Sequence, residues 1–564
     1  MVQHFHVTLI QEQRVKKMLV NLRGIFLKQV LSKIFGRLNM NRISGNIEKI
    51  DLSQAGSRTN RGPADQTFLL RASIDHSKYL NRPLYIVLYD YSQCFDSLWL
   101  DDCLLSLWKL GIQSEILYLI KEMNRECNIV IKTPVGLTEE FTVTNIVQQG
   151  SVSGGILCSA STGELAGEIT TGGTQIGLAT IRNLTFVDDI ATVNNKTKDV
   201  YKSHDQVTWF SMKKRLTLNC PKCVILPVNL KTSDVVPRLT IGEAIIKDKD
   251  VATYLGDQFN KKGTNVDLVE ERVKKGQCCI INCMSLCSDV TLGFHGVETL
   301  LLLYGSLFVQ VVLFNAQAWS NFTQTDLKAL QTIQLKYLKR MLHAPSSTSN
   351  AITFLETGVL PMSYKIHVRQ LTFLHHILTL SNNDPVKFTY QQQLLYNAPN
   401  WANETQNLRQ KYGLTLTDME ISKKSKGSWK RLVKCQVRQY ALDQLNKEAS
   451  GKKLCRNLCP YLELTKQEYF TKLSPKFARK IFHLRTGTID LRGVRDYKYG
   501  VNKTCRLCLT EIETVDHVVN KCNVLGWTHE INDIYTRNSE ELKEVAKRCI
   551  IFDEKVEKLN NETT

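Results

Sequence analysis

No secretory leader is expected from the opening residues: Met1 to Gln11 is neither basic-then-apolar nor followed by a small-residue cleavage site. The sequence has no long unbroken apolar run either. The charge-free stretch from Thr299 to Thr325 is strongly apolar only from Leu300 to Phe314, and Gly305, Ser306, Gln310, Asn315 and Gln317 interrupt it. A core helix is expected there, and no membrane span. An even set of cysteines is also missing. The 17 are scattered and odd in number, which points to free thiols in a reducing, intracellular compartment. Acids are short relative to bases, 54 against 73, leaving a formal net charge of +19. That excess calls for an anionic partner, nucleic acid before an acidic membrane surface.

What is present suffices for a large protein. A length of 564 residues suggests roughly three or four domains, and 43% hydrophobic content supports a sizeable core. Phe186-Val187-Asp188-Asp189 lies between two apolar, β-prone runs, Ile176 to Leu184 and Ile190 to Val193. The pattern reads as a hairpin with two carboxylates at its tip. Unpaired carboxylates about 4 Å apart repel by roughly 4 kcal/mol at an effective dielectric near 20. Water, a base or a bound cation must offset that.

Leu84 to Tyr89 is a near-continuous apolar strand that ends in Asp90. An acid at the carboxyl end of a buried strand stands where sheet-borne sites usually lie. Asp96, just beyond, suits the start of a helix carrying Leu104, Leu105, Leu107 and Trp108. Gly150, Gly154 and Gly155 fall within six residues, which lets backbone approach a ligand closely. Upstream, Val30, Leu31, Ile34, Phe35 and Leu38 have helical spacing and read as a buried helix, with Arg23 before it placed to grip phosphate. Gln54 to Gln66 reads as a polar loop made basic by Arg58 and Arg61, and Cys127–Lys132 with Glu140–Thr144 as a hairpin around Pro134 to Gly136. Downstream come a helix near Ser203 to Arg215, the segment Leu216 to Lys222, a short strand Val224 to Leu226, Tyr254-Leu255-Gly256, and a charged helix over Asp267 to Lys275.

The order of these segments resembles the polymerase core of reverse transcriptases of non-LTR retrotransposons. Asn21 to Ile25 and Gln54 to Gln66 look like its finger motifs. Asp90 to Asp96, Gln149 to Gly155, Phe186 to Asp189, Leu216 to Lys222 and Tyr254-Leu255-Gly256 resemble palm motifs A to E. The likeness covers about residues 10 to 260. Past it, Leu300 to Leu342 is similar to the helical thumb region. Leu484-Arg485-Thr486-Gly487 and Cys505-x2-Cys508-x8-His517-x4-Cys522 look like the C-terminal zinc-knuckle region. Ser151-Val152-Ser153 stands where many relatives carry a proline-containing version.

The resemblance implies an α+β, right-hand polymerase fold. Its parts would be partial fingers (1–80), a palm with antiparallel sheet (81–260), a helical thumb (261–345), a helical connecting region (346–480), a zinc-knuckle region (481–530) and a tail (531–564). It implies two Mg²⁺ ions on Asp90 and Asp188, with Asp189 as electrostatic support and Lys222 as general acid. Phe95 would exclude a 2′-hydroxyl, Gln149 and Gly150 would contact nucleotide and template, and Arg23 the triphosphate. A structural Zn²⁺ would sit on Cys505, Cys508, His517 and Cys522. The implied partners are an RNA template, a DNA primer and dNTPs, with no membrane, acting in nucleus and cytoplasm. Lys423 to Arg438, seven basic residues around Trp429, is a second candidate nucleic-acid contact. No upstream endonuclease, RNase H carboxylate set or nuclease motif past Cys522 is expected. The alternative is an inactive remnant that only binds nucleic acid.

Overall fold

The computed structural model describes residues 4–11, 22–133, 136–144, 147–286, 296–451, 463–495, 500, 502–534, 536 and 538–562. Asn21 and Pro134 lie outside them, as does the side chain of Arg23. The chain divides into two compact units. One is residues 1–268 with 318–321 and 376–407, and the other is residues 269–317 with 322–375 and 408–564.

The first unit is α+β. Its central sheet has five strands in the order Lys247–Asp248, Val224–Val228, Leu84–Tyr89, Asp189–Asn194, Asn183–Phe186. Leu84–Tyr89 occupies the middle because its apolar side chains can be covered on both faces, and Leu84, Ile86 and Val87 are fully buried. It runs antiparallel to Asp189–Asn194, with Ile190 opposite Tyr89 and Asn194 opposite Tyr85. This register brings Asp90, at the end of one strand, to the edge where the acidic turn lies. Helices Pro63–Tyr79 and Thr197–Lys213 pack on the sheet. A second sheet joins His4–Gln11 antiparallel to Leu22–Leu27 and parallel to Glu126–Thr133. The expected hairpin is there, since Glu126–Thr133 pairs with Phe141–Thr144.

Three expectations change. Ile176 to Leu184 is not one strand: Gly177, at φ 58°, folds Thr174–Ile176 back on Ala179–Ile181, and only Asn183–Phe186 pairs with the acidic strand. The helix Val30–Arg42 forms, but its apolar stripe faces outward. Leu31 is 78% exposed, whereas Gly36, Asn39 and Met40 are buried. Helical spacing shows that a face is apolar and says nothing about what covers it. The Gln54–Gln66 segment, read as a polar loop with two bases, has both of those bases paired. Arg58 is buried against Glu48 and the Asp51 carbonyl, and Arg61 pairs with buried Asp384.

The second unit is mainly helical. Lys426–Ser450 buries Trp429, Val433, Val437, Ala441, Leu445 and Ala449 on one narrow stripe, leaving most of its lysines in solvent. Trp429 is core, its indole N–H donating to the Leu371 carbonyl at 2.7 Å. The Leu300–Phe314 run is helical, broken by a π turn at Tyr304–Phe308. No helix among the described residues is long and apolar enough to cross a membrane. The segment expected as a tail holds a helix, Ser539–Glu562, which packs on Pro475–Arg485 and buries Val545, Cys549 and Phe552 among others.

Candidate active site and candidate metal centre

The acidic hairpin turns through two residues, Val187 and Asp188, between paired Phe186 and Asp189. Val187 has φ 59°. A β-branched residue in the left-handed region costs on the order of 1–3 kcal/mol and must be held there. Here the holding groups are visible. Gln54 Oε1 accepts from the Val187 amide at 2.8 Å, and Gln54 Nε2 donates to the Val187 carbonyl at 3.1 Å. Thr162 Oγ1 donates to the same carbonyl at 2.6 Å. Gly56 makes room, because a Cβ there would stand 2.4 Å from the Val187 nitrogen. Ala55 N–H donates to Thr185 O and Thr185 N–H to Ser53 O, each at 2.9 Å, so the 53–56 segment is zipped to the hairpin.

The two tip carboxylates, one in the turn and one at the first position of the following strand, have different neighbours. Asp188 is half-buried toward Cys158, in the helix that follows the glycine-rich segment. The Cys158 thiol is raised by its hydrogen bond to Cys94, then by burial, then by charges that include Asp188. Asp189 faces Tyr254, whose hydroxyl is pushed well up by burial and then by that carboxylate. Asp189 also lines a crevice of about 260 Å³ with Asp90, Lys222, Lys249, Tyr254 and Leu255.

Asp90 is tied down by its backbone. Its N–H reaches Cys223 Sγ at 3.5 Å and its carbonyl accepts from Asn219 N–H at 2.7 Å. Leu216–Lys222 is thereby stitched beside the acid. Lys222 Nζ comes to 3.6 Å from Asp90 Oδ2, too long for a hydrogen bond, and that oxygen is buried with no hydrogen-bond partner. A buried carboxylate oxygen left so, beside a crevice carrying a second carboxylate, fits a cation-binding acid.

The other expected residues fall as follows. Gly150, at φ 92°, is exposed and Gln149 half-buried. Gly154 cannot carry a side chain, since a Cβ would be 2.5 Å from the Gln148 carbonyl oxygen. A Cβ on Gly155 would meet Ser57 Oγ at 2.6 Å, so the glycine-rich helix start also abuts the 54–57 loop. Phe95, in the short helix Cys94–Ser97, is partly buried and packs on the core. Arg23 lies in the strand Leu22–Leu27, its backbone opposite Ile10.

In the second unit, Cys505, Cys508, His517 and Cys522 bring their ligand atoms within 4.8 Å of one another. Cys505 and Cys522 Sγ are 4.0 Å apart, and Cys508 Sγ lies 3.4 Å from His517 Nε2. A tetrahedral Zn²⁺ with Zn–S near 2.3 Å needs edges of about 3.5–3.8 Å, so the four residues fit one ion with little adjustment. The other imidazole nitrogen, His517 Nδ1, lies 2.9 Å from Glu511 Oε2, the support that orients a ligating histidine. Burial, with further causes, pushes the Cys522 thiol up to about 12. A divalent cation would reverse that by taking the thiolate.

Sequence reading missed Gln54 and Thr162 as holders of the turn, Lys249 in the crevice, and Glu511 behind His517. It also missed Glu356, which is wholly buried, takes the Arg485 Nε at 2.9 and 3.0 Å, and accepts from the Tyr469 hydroxyl at 2.7 Å. Gln54 stood inside a noticed motif. The Glu356–Arg485 pair is 129 residues apart and left no local signal.

Residues 15–259 match the family described as Reverse transcriptase (RNA-dependent DNA polymerase). The part of the chain that carries the acidic hairpin is thus similar to reverse-transcriptase domains, and its mixed helix and sheet fold is of that polymerase kind. No curated protein matches the chain. Among solved structures, apo telomerase from Candida tropicalis truncated from its C-terminal domain is similar at 15% identity, over 46% of this chain and 53% of that one, with a TM-score of 0.31. Telomerase from Candida albicans in complex with a TWJ fragment of telomeric RNA is similar at 11% identity, over 82% and 64%, with a TM-score of 0.35. The chain spans about half to two thirds of the length of these two structures. Scores this low carry no argument beyond the family match.

Proposed function

We propose that this chain is the RNA-directed DNA polymerase of a non-LTR retrotransposon, extending a DNA primer on an RNA template inside the cell. One observation carries the reading. The strand register brings Asp90, with a buried oxygen lacking a hydrogen-bond partner, to the sheet edge that bears Asp188 and Asp189. The Cys505–Cys522 cluster behind a helical region supports the non-LTR type.

In the reaction a primer 3′-hydroxyl attacks the α-phosphorus of a dNTP and releases pyrophosphate. Such transfer is mostly positioning and charge neutralisation. Asp90 and Asp188 would hold two Mg²⁺ ions, which would neutralise charge on the attacking and leaving oxygens. Asp189 adds negative potential from the Tyr254 side. Lys222, half-exposed beside Asp90, would protonate the departing pyrophosphate. Phe95 would bar a 2′-hydroxyl, Gln149 and Gly150 would meet nucleotide and template, and Arg23 the triphosphate. The net charge of +19 suits the anionic duplex. With all four positions filled by protein, the zinc would be structural.

Purified protein given poly(rA)/oligo(dT), Mg²⁺ and dTTP is expected to extend the primer. No extension with Mg²⁺ or Mn²⁺ at any salt overturns the polymerase. Duplex binding that persists with a linear fall of log K against log salt would then leave the binding remnant.

A further inference from the structure

We propose that Gln54 is a positioning residue for the acidic turn: its carboxamide accepts from the N–H and donates to the C=O of Val187, holding the peptide groups on both sides of that residue, and so sets where Asp188 and Asp189 point. The inference rests on the polymerase reading for its consequence, and on geometry alone for its existence.

Gln54 is fully buried, yet its side chain is occupied at both ends by groups around the turn. Its oxygen accepts from the Val187 amide and the Gly56 amide, each at 2.8 Å. Its nitrogen donates to the Val187 carbonyl and, at 2.9 Å, to Thr162 Oγ1. Thr162 in turn donates to the Val187 carbonyl and belongs to the helix that starts in the glycine-rich segment. One carboxamide therefore couples the 53–56 segment, the glycine-rich helix and the carboxylate turn. The turn needs that coupling because Val187 is left-handed, a conformation that valine reaches only under constraint. Glycine would adopt it without help. Asp188 is the next residue along the chain. Any relaxation of Val187 swings its carboxylate relative to Asp90, which is anchored separately through Asn219 and Cys223. Misplacement by about 1 Å costs on the order of 10²-fold in rate.

The prediction has a signature that general destabilisation does not. Gln54→Ala in the full chain is expected to slow single-turnover primer extension about 10–100-fold, with template–primer Kd and dNTP KM unchanged. Val187→Gly added to Gln54→Ala should recover about 10-fold, because glycine no longer needs the clamp. Hydrogen exchange of the Thr185–Ile190 segment should speed up in Gln54→Ala and leave Leu84–Tyr89 untouched. Gln54→Glu keeps the acceptor for both amides and should lose less, which serves if the alanine variant fails to fold. A wild-type rate in Gln54→Ala, or a loss that Val187→Gly does not mend, overturns the positioning role. If wild type extends nothing, the polymerase reading fails by itself. Exchange then decides the clamp, and unchanged exchange at the turn refutes it.

Discussion

Two carboxylates with buried oxygens, Glu356 in the second unit and Asp90 in the first, are held in opposite ways. In the second, Glu356 is wholly buried and fully used, with Arg485 on both oxygens and the Tyr469 hydroxyl on one. His517 likewise has Glu511 behind it and three thiols before it. In the first, Asp90 keeps a buried oxygen that nothing hydrogen-bonds, and Lys222 stops 3.6 Å short. A closed set of donors is a structural device. An incomplete one, at an open crevice, waits for a ligand that comes and goes. The contrast teaches where to expect stability effects and where to expect effects on rate.

The largest break should come at the Cys/His cluster. With zinc bound at the cluster as proposed, wild type should carry about one zinc per chain and Cys505→Ser none, with loss of the ordered structure around residues 503–530, since structural zinc is worth about 10–16 kcal/mol in small domains. Metal analysis and limited proteolysis read both effects. A folded, zinc-free wild type would end the metal reading. Next comes Glu356→Gln, which strands the buried Arg485 charge and should cost about 3–5 kcal/mol in denaturant unfolding of the second unit. A change within about 0.5 kcal/mol would mean the pair is not buried as described. Smaller again is a pH effect from two imidazoles. Burial lowers His367 from 6.5 to about 3 and His483 from 6.5 to about 4. Both are neutral when folded and protonate more readily when unfolded, so the unfolded chain binds the extra protons. Their stabilisation is complete above about pH 6.5 and is lost as pH falls toward those values, on the order of 3 kcal/mol for His483. His483→Gln should flatten part of that decline, measured as melting temperature against pH.

How far these features could be read from sequence follows from how local they are. Leu84 to Asp90 was legible because a continuous apolar run ending in an acid has few other readings. The Cys/His spacing was legible because all four ligands fall within 18 residues, Cys505 to Cys522. The outward stripe of Val30–Arg42 was misread because periodicity carries no information about a partner. Arg61 read only as a base of a polar loop because its partner, Asp384, is 323 residues away. The Gln54 grip was illegible for a related reason. It is a side chain meeting backbone 133 residues on, and backbone has no sequence identity to recognise.

The central claim is that the hairpin acids and Asp90 form a polymerase centre, and that its two tip carboxylates are unequal. Single-turnover primer extension by wild type, Asp90→Asn, Asp188→Asn and Asp189→Asn, run side by side, tests it most directly. The account predicts extension by wild type, a loss of about 10³-fold or more for Asp90→Asn and Asp188→Asn, and a clearly smaller loss for Asp189→Asn. Extension that survives Asp188→Asn and dies with Asp189→Asn would make Asp189, which shares the crevice with Asp90 and Lys222, the metal ligand in place of Asp188 and contradict it.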